Sequence, residues 1–144
     1  MLRAVVAALT LALATAGCAG DPPPGPVESA GAAESGRAAD VIAEARAYVD
    51  AVNRKDLDAL VNSFAENGEI IDVQRTITGH DAIRTWADGE VIGGTLRVLS
   101  ADRRRADGQR LLVHWAPAGS SGWRAHYDFT VSDGKIATAD LQYA

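Results

Sequence analysis

Only one cysteine stands among the 144 residues. No intramolecular disulfide can form, so the apolar core must carry the stability. Positive charge is short as well: 14 Lys and Arg face 19 Asp and Glu, for a net charge of −5. That balance argues against nucleic acid as a partner and against electrostatic adhesion of the chain to anionic lipid. No apolar run reaches the ~20 residues that a membrane-spanning helix needs. The longest one is stopped by Gly17, Gly20, Asp21 and the prolines that follow. A nucleophile elbow, a phosphate loop and a dinucleotide fingerprint are all missing. His, Asp and Glu nowhere adopt a metal-ligand spacing. Neither a metal nor a cofactor is expected, and no repeat or second domain is signalled.

The apolar stretch sits at the start. Arg3 precedes it, Ala4 to Ala14 form it, and small residues lead on to Cys18. A short basic start, an apolar middle and small residues are the layout of an export signal. The run Leu13-Ala14-Thr15-Ala16-Gly17-Cys18 resembles a bacterial lipobox, although Thr15 stands where leucine is usual. The resemblance implies acylation of the Cys18 thiol, which becomes the new N-terminus and is withdrawn from any redox or metal role. Ala14-Thr15-Ala16 also fits ordinary signal cleavage, which would release a soluble chain with a free thiol. An odd thiol in an exported chain counts against that alternative. The expectation is an export signal over residues 1–17 and an exported protein, anchored through lipid on Cys18 to the outer face of the bacterial cell membrane. Residues 18–37 read as a tether. Four of the five prolines, Pro22, Pro23, Pro24 and Pro26, lie there among Gly, Ala and Ser. Such sequence favours extended spacing of ~3.1 Å per residue.

From residue 38 to 144 the pattern is that of one domain, within the usual ~100–150 residues of a single core. Val41, Ile42, Ala45, Tyr48, Val49 and Val52 form a one-sided helical stripe. Asp56 reads as the N-cap of a second helix over Leu57–Ala65, with Leu57, Leu60, Val61 and Phe64 inward and Asn67-Gly68 as its stop. Glu69–Val73 reads as a strand and Thr76–Thr78 as a short extended piece. A third helix is expected over about His80–Ala87, with Ile83 and Trp86 on its buried side. After Gly93-Gly94 the period changes to two. Strands are expected at Thr95–Arg104, Arg110–Ala116, Trp123–Val131 and Lys135–Tyr143, with hairpin chemistry between them. In the third of these, Trp123, Ala125, Tyr127, Phe129 and Val131 share one face. Arg103-Arg104-Arg105 reads as a solvated edge that discourages strand addition. The layout is α+β: three N-terminal helices packed on a strongly curved, mainly antiparallel sheet.

Ala47–Leu60, Phe64-Ala65 and Glu69–Asp72 resemble the start of the SnoaL-like and ketosteroid-isomerase-like branch of the nuclear transport factor 2-like superfamily. Thr78–Ile83 with Trp86 resembles its third-helix signature, and Asp133–Ile136 its final hairpin. The resemblance spans residues 38–144 and implies a cone: a bent sheet wrapped around helices, with a cavity at the open end. That scaffold serves enzymes, binding modules and assembly domains alike, so it does not fix function.

In the isomerase branch a helix-one tyrosine and a first-strand aspartate face each other across the cavity. By position these are Tyr48 and Asp72. A carboxylate in an apolar pocket becomes a better base, and a buried phenol can donate to a developing enolate. The branch also uses a protonated aspartic acid, and Tyr127 occupies that position here. Each residue has a plainer role open to it: Tyr48 and Tyr127 as core, Asp72 as a turn or surface acid. Trp86, Trp115, Trp123, Tyr127 and Phe129 supply enough aromatic surface to line a modest pocket. His114 and His126 would share one face if their strands pair. The first reading is non-catalytic: the domain binds a small apolar ligand or an envelope partner. The alternative is a cofactor-free isomerase, cyclase or hydratase with Asp72 as general base and Tyr48 as oxyanion donor. A third is a homodimer formed through the sheet.

Overall fold

The apolar stripe of the first helical segment becomes α1 (Ala43–Arg54), which buries Ala45, Tyr48, Val49, Ala51 and Val52. Lys55 ends it with a left-handed backbone, φ 59°. These features come from a computed structural model that describes residues 40–144. The export signal, Cys18 and the Pro-rich tether lie outside the described residues.

Asp56 caps α2 as expected, its Oδ1 accepting from the Ala59 N–H at 2.9 Å. The helix is shorter than its pattern suggests, Leu57–Asn62. Ser63 stops it by donating its hydroxyl back to the Leu60 carbonyl at 2.6 Å. Phe64 therefore opens β1 (Phe64–Asp72) instead of closing a helix. It is buried all the same, because it pairs with Ile136 in the sheet. Asn67-Gly68 then lies inside β1, where the register with β6 shifts between Phe64 and Glu69. At Gly68 a Cβ would sit 2.9 Å from the Ala65 carbonyl, so this kink needs glycine.

A two-residue turn leads into β2 (Arg75–Thr78), which pairs back on β1. α3 (His80–Glu90) runs a turn beyond its expected end and buries Ile83, Trp86 and Ala87. Three long strands and an edge strand complete the sheet: β3 (Thr95–Ala101), β4 (Gly108–Ala116), β5 (Trp123–Ser132) and β6 (Lys135–Tyr143). The order is β2-β1-β6-β5-β4-β3, with only β1 and β6 parallel. Among the described residues the architecture is thus the expected α+β roll: three helices against a curved, unclosed, mainly antiparallel sheet.

Strand β3 ends earlier than its pattern, because the arginines after it are engaged elsewhere. Arg104 donates to the Asp40 carbonyl at 3.2 Å, and Arg105 to Asp128 at 2.6 Å. All three arginines of the expected solvated edge are nonetheless exposed. The open edge of β3 is instead covered by the end of α1. Asn53 donates to the Leu96 carbonyl at 2.8 Å and accepts from its N–H at 2.9 Å, mimicking a neighbouring strand.

Alternation sorts the sheet into two faces. Leu111, Val113 and Trp115 on β4, and Ala125, Tyr127 and Phe129 on β5, point inward and are buried. Tyr48 plugs the middle of this core, its ring 6.0 Å from Phe64, 5.4 Å from Phe129 and 6.2 Å from Tyr127. The entry of the chain is pinned by Gln109, which is buried. It accepts from the Ile42 N–H and donates to the carbonyls of Asp40 and Asp102. No helix among the described residues is long and apolar enough to cross a membrane.

Candidate functional site

The bend leaves one end of the concave face uncovered by helices α1 and α2. A cavity of about 430 Å³ opens there. Its walls come from the end of β1, the end of α3, and the cavity-side ends of β4, β5 and β6. Trp86, Trp115, Trp123, Tyr127 and Tyr143 all line it. The chain has three tryptophans, so every one of them faces this space.

The polar side of the cavity is built around one arginine. Arg75, at the start of β2, donates to the Glu90 carboxylate at 2.9 and 2.7 Å, a two-pronged contact to the last residue of α3. Its Nη2 also donates to Asp72, which holds the end of β1 against the same group. Trp86 Nε1 donates to that Asp72 oxygen at 3.3 Å. The hydrogen bonds from Arg75 hold the Glu90 carboxyl below its ordinary 4.5, against the opposing effect of desolvation. Hydrogen bonds to Glu90 and then Asp72 raise Arg75 in turn. Asp72 is therefore a cavity residue whose Oδ2 already accepts two donors.

The two inner phenols differ in reach. Tyr127 lines the cavity, whereas Tyr48 lies behind it in the core. Burial raises Tyr48 well above 10.0, with smaller contributions from Tyr127 and Asp72. Tyr127 is raised by burial and then by the Asp72 charge. Both phenols stay protonated at neutral pH and can only donate from the O–H or accept on oxygen.

The structure thus brings Asp72, Tyr127, Trp86, Trp115 and Trp123 together. It does not bring Tyr48 to the cavity wall, and Phe129 is fully buried beneath it. His114 and His126 do share a face, as their strands pair, but it is the outer one. His114 sits opposite Arg124, and His126 opposite Leu112. Neither lines the cavity, because alternation turns both away from Trp115 and Tyr127. Tyr143, Arg75 and Glu90 were missed by sequence reasoning. Alternation on β6 would have placed Tyr143 on the face of Leu141, whereas Arg75 and Glu90 meet only through tertiary packing. Among the described residues no group of three His, Cys, Asp or Glu side chains is placed to hold a metal ion.

A curved sheet around helices with an aromatic-lined cavity at its open end defines the cone fold. The chain belongs to the SnoaL-like domain family, whose model matches residues 45–139. Solved structures agree on the fold. A putative polyketide cyclase from Sinorhizobium meliloti is 24% identical, with a TM-score of 0.65 over 73% of this chain and 98% of that one. A protein of ketosteroid isomerase-like fold from Catenulispora acidiphila, solved with trimethylamine, is 17% identical, with a TM-score of 0.61 over 72% of this chain and 87% of that one. A computationally designed 17-OHP binder is 16% identical, with a TM-score of 0.64 over 70% and 88%. No curated protein matches the chain.

Proposed function

We propose that this domain binds a small, largely apolar ligand in the open cavity. The observation that carries the reading is the convergence of five aromatic side chains on one space of about 430 Å³. Sites for small molecules run from ~300 to 1,000 Å³, mostly apolar with a few placed polar groups. Here Asp72, Arg75 and the Tyr127 hydroxyl are those groups. The computationally designed 17-OHP binder among the structural neighbours supports the reading, since it is a binder built on this fold.

Binding is favoured over catalysis by the state of Asp72. A general base needs a lone pair aimed at the substrate proton. The Asp72 Oδ2 already accepts from Arg75 and Trp86. One observation keeps the proton-transfer reading as the second choice: Asp72 and Tyr127 do share the cavity. In that reading Tyr127, not Tyr48, is the donor that reaches a substrate.

All three tryptophans report on the cavity, so intrinsic fluorescence is the assay. The full chain is titrated with steroid-like enones and polyketide-like aromatics. Saturable quenching is expected, weakened at least tenfold by Trp115→Ala. A flat titration across the panel overturns the pocket reading. Turnover of any enone that disappears in Asp72→Asn replaces it with the catalytic one. We read the segment before the domain, from sequence alone, as an export signal with acylation at Cys18. A mass gain of diacylglycerol on Cys18 is expected, and a mature chain beginning at Gly17 refutes it.

A further inference from the structure

The outer face of the sheet carries a row that the net charge hides. Arg97 pairs with His114 across β3 and β4, and His114 pairs with Arg124 across β4 and β5. Three basic side chains thus stand side by side on neighbouring strands. Arg97 and Arg124 flank one imidazole with no carboxylate between them. Among the described residues neither Arg97 nor Arg124 makes an ion pair or a side-chain hydrogen bond, and both are exposed. The nearest acid along β5, Asp128, is already held by Arg105 and Arg110.

This row lies one rung behind the lip of the cavity. The sheet side of the lip is uncharged. The loop from Val91 to Gly94 and the loop from Pro117 to Gly122 contain no Asp, Glu, Lys or Arg. The two loops meet there, since a Cβ on Gly93 would lie 3.7 Å from the Ala118 Cβ. The large hydrophobic side chains left exposed among the described residues are Val73, Trp123 and Tyr143, at 38%, 40% and 65%. All three are at this mouth, and Trp123 and Tyr143 rest against each other with ring centroids 5.9 Å apart. Val73 is held there at φ 56°, a conformation that is costly for a β-branched residue.

We infer that this edge docks on an anionic membrane surface, with the cavity mouth turned to the lipid. Tryptophan and tyrosine favour the boundary between acyl chains and headgroups. Arginines one rung behind them are placed to reach back to phosphate oxygens. The carboxylates at the mouth, Asp72 and Glu90, stand on the helix side and are bridged by Arg75, so the sheet side of the lip is the side that approaches. An apolar ligand would then pass between bilayer and cavity without crossing water. The docking surface shares Trp123 and Tyr143 with the cavity mouth, its arginines lie on the outer face of the sheet, and it needs no lipid on Cys18.

The test uses the full chain with Cys18→Ser, so that no acyl chain contributes. Partitioning is measured on vesicles of phosphatidylcholine and on vesicles that also contain phosphatidylglycerol. Each basic side chain near such a surface contributes enough that losing two weakens partitioning roughly 30-fold. Arg97→Ala with Arg124→Ala is expected to show that loss on the anionic vesicles only. Trp123→Ala with Tyr143→Ala is expected to weaken partitioning on both. Brominated lipid is expected to quench the wild-type fluorescence, and Trp123→Phe to abolish most of that quenching. Thermal melts establish that these surface variants remain folded. Unchanged partitioning in both double variants overturns the inference. So does a dimer in solution that Trp123→Ala dissociates, which would make the edge a self-interface. Ligand titrations without vesicles read the cavity separately, so either proposal can fail alone.

Discussion

Replacing Gly94 by alanine should push Trp115 into the cavity. The new Cβ would lie 2.3 Å from Trp115 Cη2 and 2.7 Å from Cζ3. Carbon atoms rest at ~3.5–4.0 Å, so the ring must withdraw by more than ~1 Å. The third close atom is the Ala116 carbonyl oxygen at 2.9 Å, which belongs to the sheet and cannot swing away. The indole has one yielding side, the cavity that it lines. Overpacking of this kind costs ~1–3 kcal/mol. Loss of glycine freedom in the unfolded chain returns ~0.4–1 kcal/mol. A net destabilisation of about 1–2 kcal/mol lowers Tm by roughly 5–15 °C for a domain of this size. The assay is a double-mutant cycle followed by thermal unfolding, with Trp115→Leu as the second change. In the Trp115→Leu background the cost should fall sharply but not vanish, since the Ala116 carbonyl contact at 2.9 Å remains. Ligand affinity should fall in Gly94→Ala alone, because the ring occupies part of the site. If Gly94→Ala is equally destabilising with Leu at 115, or harmless in the wild type, the contact with Trp115 is not what demands glycine.

Three further outcomes are expected. Gln109→Leu leaves the Ile42 N–H and the carbonyls of Asp40 and Asp102 without their buried partner. At ~1 kcal/mol each the loss is about 3 kcal/mol by urea unfolding, and a loss under ~1 kcal/mol would mean the entry of α1 is held otherwise. Tyr48 and Tyr127 hold their protons more tightly folded than unfolded. Their contribution is therefore complete below pH 10 and is lost as pH rises above it. Phenolate absorbance from these two should appear only with unfolding, and Tyr48→Phe with Tyr127→Phe should extend stability to higher pH. Glu90 has the opposite sign. Its folded value is depressed by Arg75, so its contribution is present above about 4.5 and is lost as pH falls through the folded value. Arg75→Gln should flatten that acid limb, and an unchanged limb in a pH series of melts would show that the contact is not felt in solution.

Much of the scaffold was legible because period is a local property. The alternation placed Trp123, Ala125, Tyr127, Phe129 and Val131 on one face of β5; the first four are on the inner face, and the register shifts between Thr130 and Val131 before the fifth. The stripe on α1 gave four of its five buried residues, Ala45, Tyr48, Val49 and Val52; it missed Ala51, and Val41 and Ile42 lie just before the helix. Phe64 was read as helical because its apolar spacing continues that of Leu57, Leu60 and Val61. The Ser63 hydroxyl and the pairing with Ile136 decided otherwise, and neither is visible in a local window. The site was legible in its residue types but not in its roles. Tyr48 and Tyr127 are both inward-facing tyrosines in sequence. The rings stand 6.2 Å apart, yet only Tyr127 reaches the open space, because Tyr48 arrives from a helix that fills the centre of the core.

The sequence by itself determined the elements, their inward faces, the family and the acidic balance of the chain. These follow from local spacing and from residue counts, which no packing can alter. Tertiary structure alone decided three things. It set where the sheet bends and hence which aromatics line a space and which plug it. It brought Arg75 between Asp72 and Glu90, the second of these 15 residues away, and so engaged one oxygen of the carboxylate that the sequence had offered as a base. It also gathered Arg97, His114 and Arg124 from three strands into one row on an acidic protein. Charge is summed along the chain but acts through space, so only the sheet register could show where this protein is basic.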